Sequence, residues 1–137
     1  MFWACLAQPA LARNDVLHLS FQDVLNSPEA KGKLDSRVRF FLAGQNTPKV
    51  VKTLGSDVSN PKTNGFNKTA AQACNWAALS ALIALQKRTL QNGGNAVIEI
   101  VSFYKGKEFS SATQYECHDG AFAVAVSLKG TYATIED

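Results

Sequence analysis

The chain has 137 residues, of which 46% are hydrophobic, and 14 lysines and arginines against 11 aspartates and glutamates give it a formal charge of +3. This length can bury one core and is short for two ordinary domains, so we expect a single domain. The lysines are scattered and form no basic stripe with interleaved aromatics, which argues against nucleic-acid binding. No stretch after residue 12 approaches the roughly 18 apolar residues of an integral membrane span.

The first twelve residues carry no charge and end in the triplet Ala-Leu-Ala at 10–12. Signal peptidase accepts small residues at the first and third positions of such a triplet, and polar Arg13 follows at once. We therefore expect residues 1–12 to be the end of a signal peptide and residues 13–137 to be the exported domain. Complete signals have about 15–30 residues, so the natural start is expected further upstream. The alternative is an apolar N-terminal segment that packs on the core.

Removal of the signal would remove Cys5 and leave one pair of cysteines, Cys74 and Cys117. An even number of cysteines in an exported protein is typical of a disulfide framework, which an oxidising compartment preserves. The pair therefore predicts one disulfide and a periplasmic or secreted location. The alternative is two unrelated buried thiols in a cytosolic protein.

The first elements along the chain are short. Residues 16–25 could begin as a strand and continue at helical spacing. Ser27 is typical of a helix N-cap, and the proline after it suits the first helical position, which predicts a turn of helix over 29–34. Residues 37–42 and 49–54 read as strands, and the short loop between them predicts an antiparallel hairpin.

Residues 57–68 are polar and rich in turn residues, which predicts a surface loop of about a dozen residues. A loop of that length without structure of its own is often functional. We expect Phe66 to anchor the loop to the core, and the alternative is an exposed recognition aromatic. Asn64, Phe66, Asn67 and Lys68 form the candidate interaction loop.

The longest helical pattern begins at Thr69 and runs to about Asn92. Alanines, leucines and Cys74 recur at spacings of three and four and cover a broad face, so this helix is predicted to be deeply buried. Polar residues from Gln86 onward indicate its exposed end. Gly93 or the glycine after it supplies the left-handed residue that ends the helix.

The second half of the chain is rich in strand patterns. Residues 95–104 give the strongest one, followed by a turn at 105–108. Residues 111–117 and 121–128 predict two further strands, joined by a tight turn at 118–120.

The end of the chain, residues 131–135, is expected to extend the last strand beyond a kink at Gly130. These patterns together predict the α+β class. We expect one long buried helix packed on an antiparallel β-sheet, in a single domain.

The residues that could carry chemistry are few. His118 lies between Cys117 and Asp119, but neighbours in an extended chain point to opposite sides, which argues against a catalytic pair. A metal site at this tripeptide lacks the spaced second pair of ligands that structural zinc requires. No catalytic residue, cofactor or metal is therefore predicted. The alternative is a small hydrolase or metal-binding protein that uses Glu116, His118 and Asp119.

Two features of the chain resemble small bacterial envelope proteins: the Cys74/Cys117 pair and the turn Gly-Gly-Asn-Ala-Val at 93–97 that follows the helix. Over residues 69–128 the chain is similar to the outer-membrane lipoprotein that senses stress for the Rcs phosphorelay, and to the related YbjQ-like domains. In those proteins a helix cysteine bonds to a late strand. Their lipidated N-terminal cysteine and second disulfide have no counterpart in residues 13–137, so neither membrane anchoring nor signalling is implied.

The segment Thr-Asn-Gly-Phe-Asn-Lys at 63–68 is similar to a group of short exported proteobacterial proteins. Most members are uncharacterised, and some carry an excinuclease-subunit label. That activity is implausible here, because the chain is short and its Gly-Lys pairs at 32–33 and 106–107 lack P-loop spacing. We therefore expect a non-catalytic periplasmic or secreted protein of a Gram-negative bacterium that binds a protein or envelope component, with a stress-related interaction as one possible role.

Overall fold

The computed structural model describes residues 14–137, and the predicted signal segment lies outside them. The described residues contain nine strands and three helices. In chain order these are β1 Asn14–Ser20, α1 Phe21–Leu25, α2 Pro28–Lys31, β2 Arg39–Leu42, β3 Val50–Ser59, β4 Lys62–Thr63, α3 Ala70–Gln91, β5 Ala96–Tyr104, β6 Lys107–Phe109, β7 Gln114–Gly120, β8 Val124–Ala125 and β9 Leu128–Ile135. None of the helices in this part of the chain is both long and apolar enough to cross a membrane.

The strands form two sheets. Sheet A has the order β1-β7-β8-β4, and all its pairs are antiparallel. Sheet B has the order β2-β5-β9-β3, with β6 added beside β5. Its pairs are antiparallel except for β2, which lies parallel to β5. The chain passes between the sheets five times, and the two shortest crossovers are residues 60–61, after β3, and 126–127, before β9.

Helix α3 contacts strands of both sheets and lies at the centre of the main core. Alanines at 73, 77, 78 and 81 are all buried, and their small side chains let the helix backbone approach the strands closely. Leu79, Leu82 and Leu85 fill the space between them. The prediction of one long buried helix packed on β-structure is therefore confirmed, whereas the single antiparallel sheet is only partly right.

Both ends of α3 carry recognised capping motifs. The Thr69 hydroxyl accepts from the Gln72 N–H at 3.1 Å, and the Gln72 side chain accepts from the Thr69 N–H at 2.9 Å, which is a capping box. At the other end, the Gly93 N–H donates to the Leu90 carbonyl and the Gly94 N–H donates to the Thr89 carbonyl. This is the Schellman pattern, with Gly93 in the left-handed region at φ +77°.

The predicted hairpin between residues 37–42 and 49–54 is wrong. Strands β2 and β3 lie at opposite edges of sheet B, separated by β5 and β9. The reason is hydrophobicity: β5 and β9 bury most of their residues, whereas β3 is exposed along most of its first half. The two buried strands occupy the centre, the more exposed β3 takes one edge, and the short β2 takes the other.

The loop predicted over residues 57–68 is shorter than expected. β3 continues to Ser59, since residues 57–59 pair with β9, and Lys62–Thr63 form β4 on sheet A. Only residues 64–69 remain as a connection. Backbone pairing with β9 decides the outcome here, because polar side chains on an edge strand can face solvent while the main chain stays in the ladder.

The strand predicted over 121–128 is divided between the two sheets. β7 continues to Gly120, the turn falls at 121–123, and β8 has only two residues before the chain crosses to β9. β9 runs through Gly130, and its ladder with β5 shifts register opposite this residue, between Ile98 and Val101. A Cβ at Gly130 would lie 2.5 Å from Val97 Cγ1, so the glycine allows close packing between neighbouring strands.

Gln86 was expected at the exposed end of the helix, but it is only 8% exposed. Its Oε1 accepts from the Asp35 N–H at 2.6 Å, and its Nε2 donates to the Lys33 carbonyl at 3.3 Å. The chain after α2 therefore folds over this turn of α3.

The Ser27 cap is present, with the hydroxyl accepting from the Ala30 N–H, although α2 ends at Lys31 rather than at 34.

Candidate functional site

Cys74 of α3 and Cys117 of β7 are both fully buried, and their sulfurs lie 2.02 Å apart in a disulfide. The bond joins the first half of the central helix to an inner strand of sheet A. It is enclosed by the core, so its role in this structure is architectural.

Side chains alternate strictly along β7. Tyr115, Cys117 and Asp119 are buried on the side that faces the core, and Glu116 and His118 point to the opposite side. The structure therefore does not bring Asp119 together with Glu116 and His118, and the three-residue site of the enzymatic alternative is not formed. Cys117 and His118 also face opposite sides, as strand alternation predicts.

Glu116 instead joins two histidines. His18 is its direct partner across the β1–β7 ladder, and its Nε2 donates to Glu116 Oε2 at 3.1 Å. His118 Nε2 donates to Glu116 Oε1 at 2.8 Å. Each imidazole also stacks on an aromatic ring, His118 on Tyr104 with centroids 3.6 Å apart and His18 on Phe109 at 4.1 Å. We call these five residues the histidine cluster.

The hydrogen-bonding groups of Glu116 are largely paired within the histidine cluster. Both carboxylate oxygens of Glu116 have an imidazole donor, and its backbone N–H donates to the Ser102 hydroxyl at 2.8 Å. Within residues 14–137, no group of three or more His, Cys, Asp or Glu side chains is arranged to hold a metal ion. The cluster ties β1, β7 and the β5–β6 hairpin together. Sequence reasoning missed it, because only the register of β1 on β7 brings His18 to Glu116.

The cluster predicts a pH dependence of stability. Partial burial acts to raise the pKa of Glu116, but hydrogen bonds from His118 and His18 outweigh it and hold the pKa below its usual range. Because the folded pKa is depressed, the ionised carboxylate stabilises the fold above about pH 4.3, the unfolded value, and this contribution is lost as pH falls further. Glu116→Gln should therefore lower the unfolding free energy by about 1 kcal/mol at pH 7 and by less at pH 3.

Urea titrations at several pH values measure this difference. Glu108→Gln is the matched control, because Glu108 is exposed on the neighbouring hairpin and forms no salt bridge with another described residue. A difference between wild type and Glu116→Gln that stays constant from pH 7 to pH 3 would contradict the assignment.

A groove of about 390 Å³ opens beside the histidine cluster, between the two sheets. We call it the cationic groove. Its lining residues are Val58, Asn60, Lys62, Phe103, Tyr104, Lys105, Gly106, Ala125 and Ser127. Tyr104 belongs to both features, so its ring forms the wall between them.

The candidate interaction loop is held by its own hydrogen bonds. The Asn64 side chain accepts from the Phe66 N–H at 3.1 Å, Lys68 Nζ donates to the Asn64 carbonyl, and Asn67 takes a left-handed conformation. Phe66 is 77% exposed, so the expectation that it anchors the loop to the core is wrong. Because these contacts and the following helix cap position the loop, it does not need a buried aromatic.

Phe122 is a second exposed aromatic, with 95% of its surface accessible, in the turn between β7 and β8. Thr63 pairs with Val124, so the chain leaves β4 and enters β8 at the same end of sheet A. The loop 64–69 and the turn 121–123 therefore emerge side by side. We call this region, with Phe66 and Phe122, the phenylalanine end. The exposure of Phe122 was not predicted from the sequence, because residues 121–128 were predicted to form one strand.

A groove of about 440 Å³ runs beside the same loop. Asn67, Lys68 and the first turns of α3 form one wall, and Asp23, Ser27 and Glu29 of the α1–α2 region form the other. Lys68 thus lines the same groove as the acidic residues Asp23 and Glu29. The polar surface next to Phe66 carries both signs of charge.

No protein-family model, no curated protein and no solved structure matches this chain. We therefore argue its function from the geometry of residues 14–137. The phenylalanine end and the cationic groove beside the histidine cluster are the surfaces that the proposals below use.

Proposed function

We propose that this chain is a non-catalytic binding module of the bacterial envelope, which holds a protein partner at the phenylalanine end. The observation that carries the proposal is the pair of phenylalanines, 77% and 95% exposed, on neighbouring connections of one sheet. A single exposed apolar residue is ordinary. Two large aromatic side chains presented together resemble the anchors that protein interfaces bury at their centres.

The scaffold beneath this surface favours recognition without large rearrangement. Loop 64–69 ends at the capping box of α3, and the turn 121–123 follows the disulfide-bonded strand β7. Asn64, Asn67 and Lys68 supply a polar rim around Phe66. A binding surface held in place by rigid elements loses less conformational entropy when a partner docks.

An exported location is part of the proposal. A buried disulfide persists in oxidising compartments, which supports a periplasmic or secreted single α+β domain from residue 13. The proposed envelope role includes the resemblance of residues 69–128 to the Rcs stress-sensor lipoprotein, which stays a prediction from sequence motifs. The alternative of a small hydrolase or metal-binding protein at 116–119 has less support, because Glu116 is engaged by both histidines and Asp119 faces the core.

Site-specific photo-crosslinking tests the proposal. A benzoylphenylalanine placed at position 66 or 122, in the bacterium that produces the protein, should yield the same crosslinked partner. Position 51 is the control, since Val51 is 59% exposed near the start of β3, the end remote from the crossover to sheet A. Phe66→Ala with Phe122→Ala should weaken binding of that purified partner by about a thousandfold, since hot-spot aromatics contribute about 2 kcal/mol each and about 1.4 kcal/mol is tenfold in affinity.

The melting temperature of the double variant should stay unchanged, because both side chains are exposed. Equal crosslinking at position 51, or full affinity of the double variant, would contradict the proposal. Substrate turnover in a hydrolase screen that is lost in His118→Ala, with the melting curve unchanged, would favour the enzymatic alternative.

A further inference from the structure

The cationic groove lies where the chain crosses between the two sheets. Val58 of β3 and Phe103 of β5 come from sheet B, and Lys62 of β4 and Ala125 of β8 come from sheet A. The crossovers are joined to each other and to β5: the Val126 N–H donates to the Pro61 carbonyl at 3.4 Å, and the Phe103 N–H donates to Ser127 at 2.9 Å. The groove is therefore built from connected backbone rather than from a flexible loop.

The charge of the groove has one sign. Among residues 14–137, Lys62 and Lys105 are the only charged residues that line it, and no carboxylate does. Within the described part of the chain, neither lysine forms a salt bridge. Two ammonium groups beside one concave surface, without an acidic partner, favour an anionic occupant.

The aromatic wall of the groove is held in position by the histidine cluster. The Tyr104 ring stacks on His118, and the Lys105 ammonium lies 5.4 Å from the centroid of the same ring. Lys105 and Gly106 have φ of +52° and +78°, the conformation of a tight two-residue hairpin turn, which fixes the backbone that carries Lys105.

The position of Lys62 on the opposite wall of the groove follows from strand register. His118 pairs with Ala125, and Ala125 pairs with Lys62, so the three residues form one row across sheet A. Cross-strand partners share a face of a sheet, so Lys62 lies on the same side as His118. The small side chain of Ala125 between them leaves the space open.

From this geometry we propose that the cationic groove binds a small anion with a flat, apolar body, such as an aromatic carboxylate or sulfonate. The acid group would lie near Lys62 and Lys105, and the body would pack against the Tyr104 wall. A volume of about 390 Å³ is within the range of small-molecule sites, roughly 300–1,000 Å³. The site is separate from the phenylalanine end and does not depend on the function proposed there.

Two matched fluorescent probes test the proposal. 8-Anilinonaphthalene-1-sulfonate carries the acid group and the flat body, and N-phenyl-1-naphthylamine has the same body without the acid. Lys62→Met with Lys105→Met should weaken sulfonate binding by about tenfold, which corresponds to about 1.4 kcal/mol, and leave the neutral probe within about twofold. Lys52→Met removes an equal charge from an exposed position of β3 outside the groove and should change neither affinity.

Amide chemical shifts locate the bound probe. The sulfonate should perturb the N–H signals of Gly106 and Ser127 and leave the Trp76 indole, which lines the groove beside α1 and α2, unchanged. Ala125→Leu should fill the cationic groove and abolish these perturbations. Equal weakening of both probes by the lysine variants, an equal effect of Lys52→Met, or perturbations centred on Trp76 would each overturn the proposal.

Discussion

Replacing Cys74 and Cys117 together by alanine is expected to lower the free energy of unfolding by about 4 kcal/mol. The disulfide closes a ring with a sequence separation of 43 residues, and on the chain-entropy model its loss frees the unfolded chain by that amount. The ring contains the rest of α3, all of β5 and β6 and the first half of β7, so the cross-link constrains pairings in both sheets. Urea unfolding monitored by circular dichroism measures the difference.

Reduction provides the matched control for this experiment. Wild-type protein in dithiothreitol should unfold near the midpoint of the double variant, and the reductant should leave the double variant unchanged. The intact mass of the exported wild-type protein should rise by two hydrogens on reduction. Free thiols in material taken from the periplasm, or equal midpoints with and without reductant, would show that the bond contributes nothing in the cell.

Gly94→Ala is expected to lower the free energy of unfolding by about 2–3 kcal/mol, the second largest effect. A Cβ at Gly94 would lie 2.8 Å from the Ala133 carbonyl oxygen and 3.0 Å from side-chain atoms of Leu54 and Thr89. The carbonyl belongs to a fully buried residue of β9, so it cannot move away without disturbing the ladder. The cost therefore arises from the close approach of helix end and sheet.

Alanine substitutions at two other glycines distinguish the close contacts at Gly94 from the general effects of replacing glycine by alanine. Gly32→Ala meets nothing within 4 Å and is expected to be nearly neutral. Gly93→Ala also has open space, but its φ of +77° disfavours a side chain, so about 1 kcal/mol should be lost. Thermal or urea unfolding of the three variants should rank Gly94 first. A Gly94→Ala variant as stable as Gly32→Ala would contradict the packing explanation.

The central helix was largely predictable because its signals are local. Thr69 and Gly93 lie within one turn of the backbone groups that they cap, and the apolar residues between them recur every three or four positions. The caps and the length of α3 therefore follow from neighbouring residues. Gln86 is the exception on this helix. Its polar side chain is buried because the chain after α2 folds over it, and that contact spans more than 50 residues.

The strands were predictable in their patterns but not in their partners, with the hairpin of β7 and β8 as the exception. Residues 95–104 read as a strand and form β5, yet nothing near residues 37–42 indicates that β2 pairs with β5 in parallel. The same difference applies to the candidate sites. The candidate loop could be placed from its turn residues, whereas the exposure of Phe66, its nearness to Phe122 and the meeting of His18 with Glu116 could not.

The sequence by itself therefore determined the long helix and its caps, the mixed class of the fold and the cysteine pair available for one disulfide. Only the tertiary structure decided that the strands divide into two sheets, that Asp119 turns away from His118, and that a cationic groove opens where the chain crosses between the sheets. The physical reason is range: helix signals act over three or four residues, whereas sheet register depends on residues far apart in the chain.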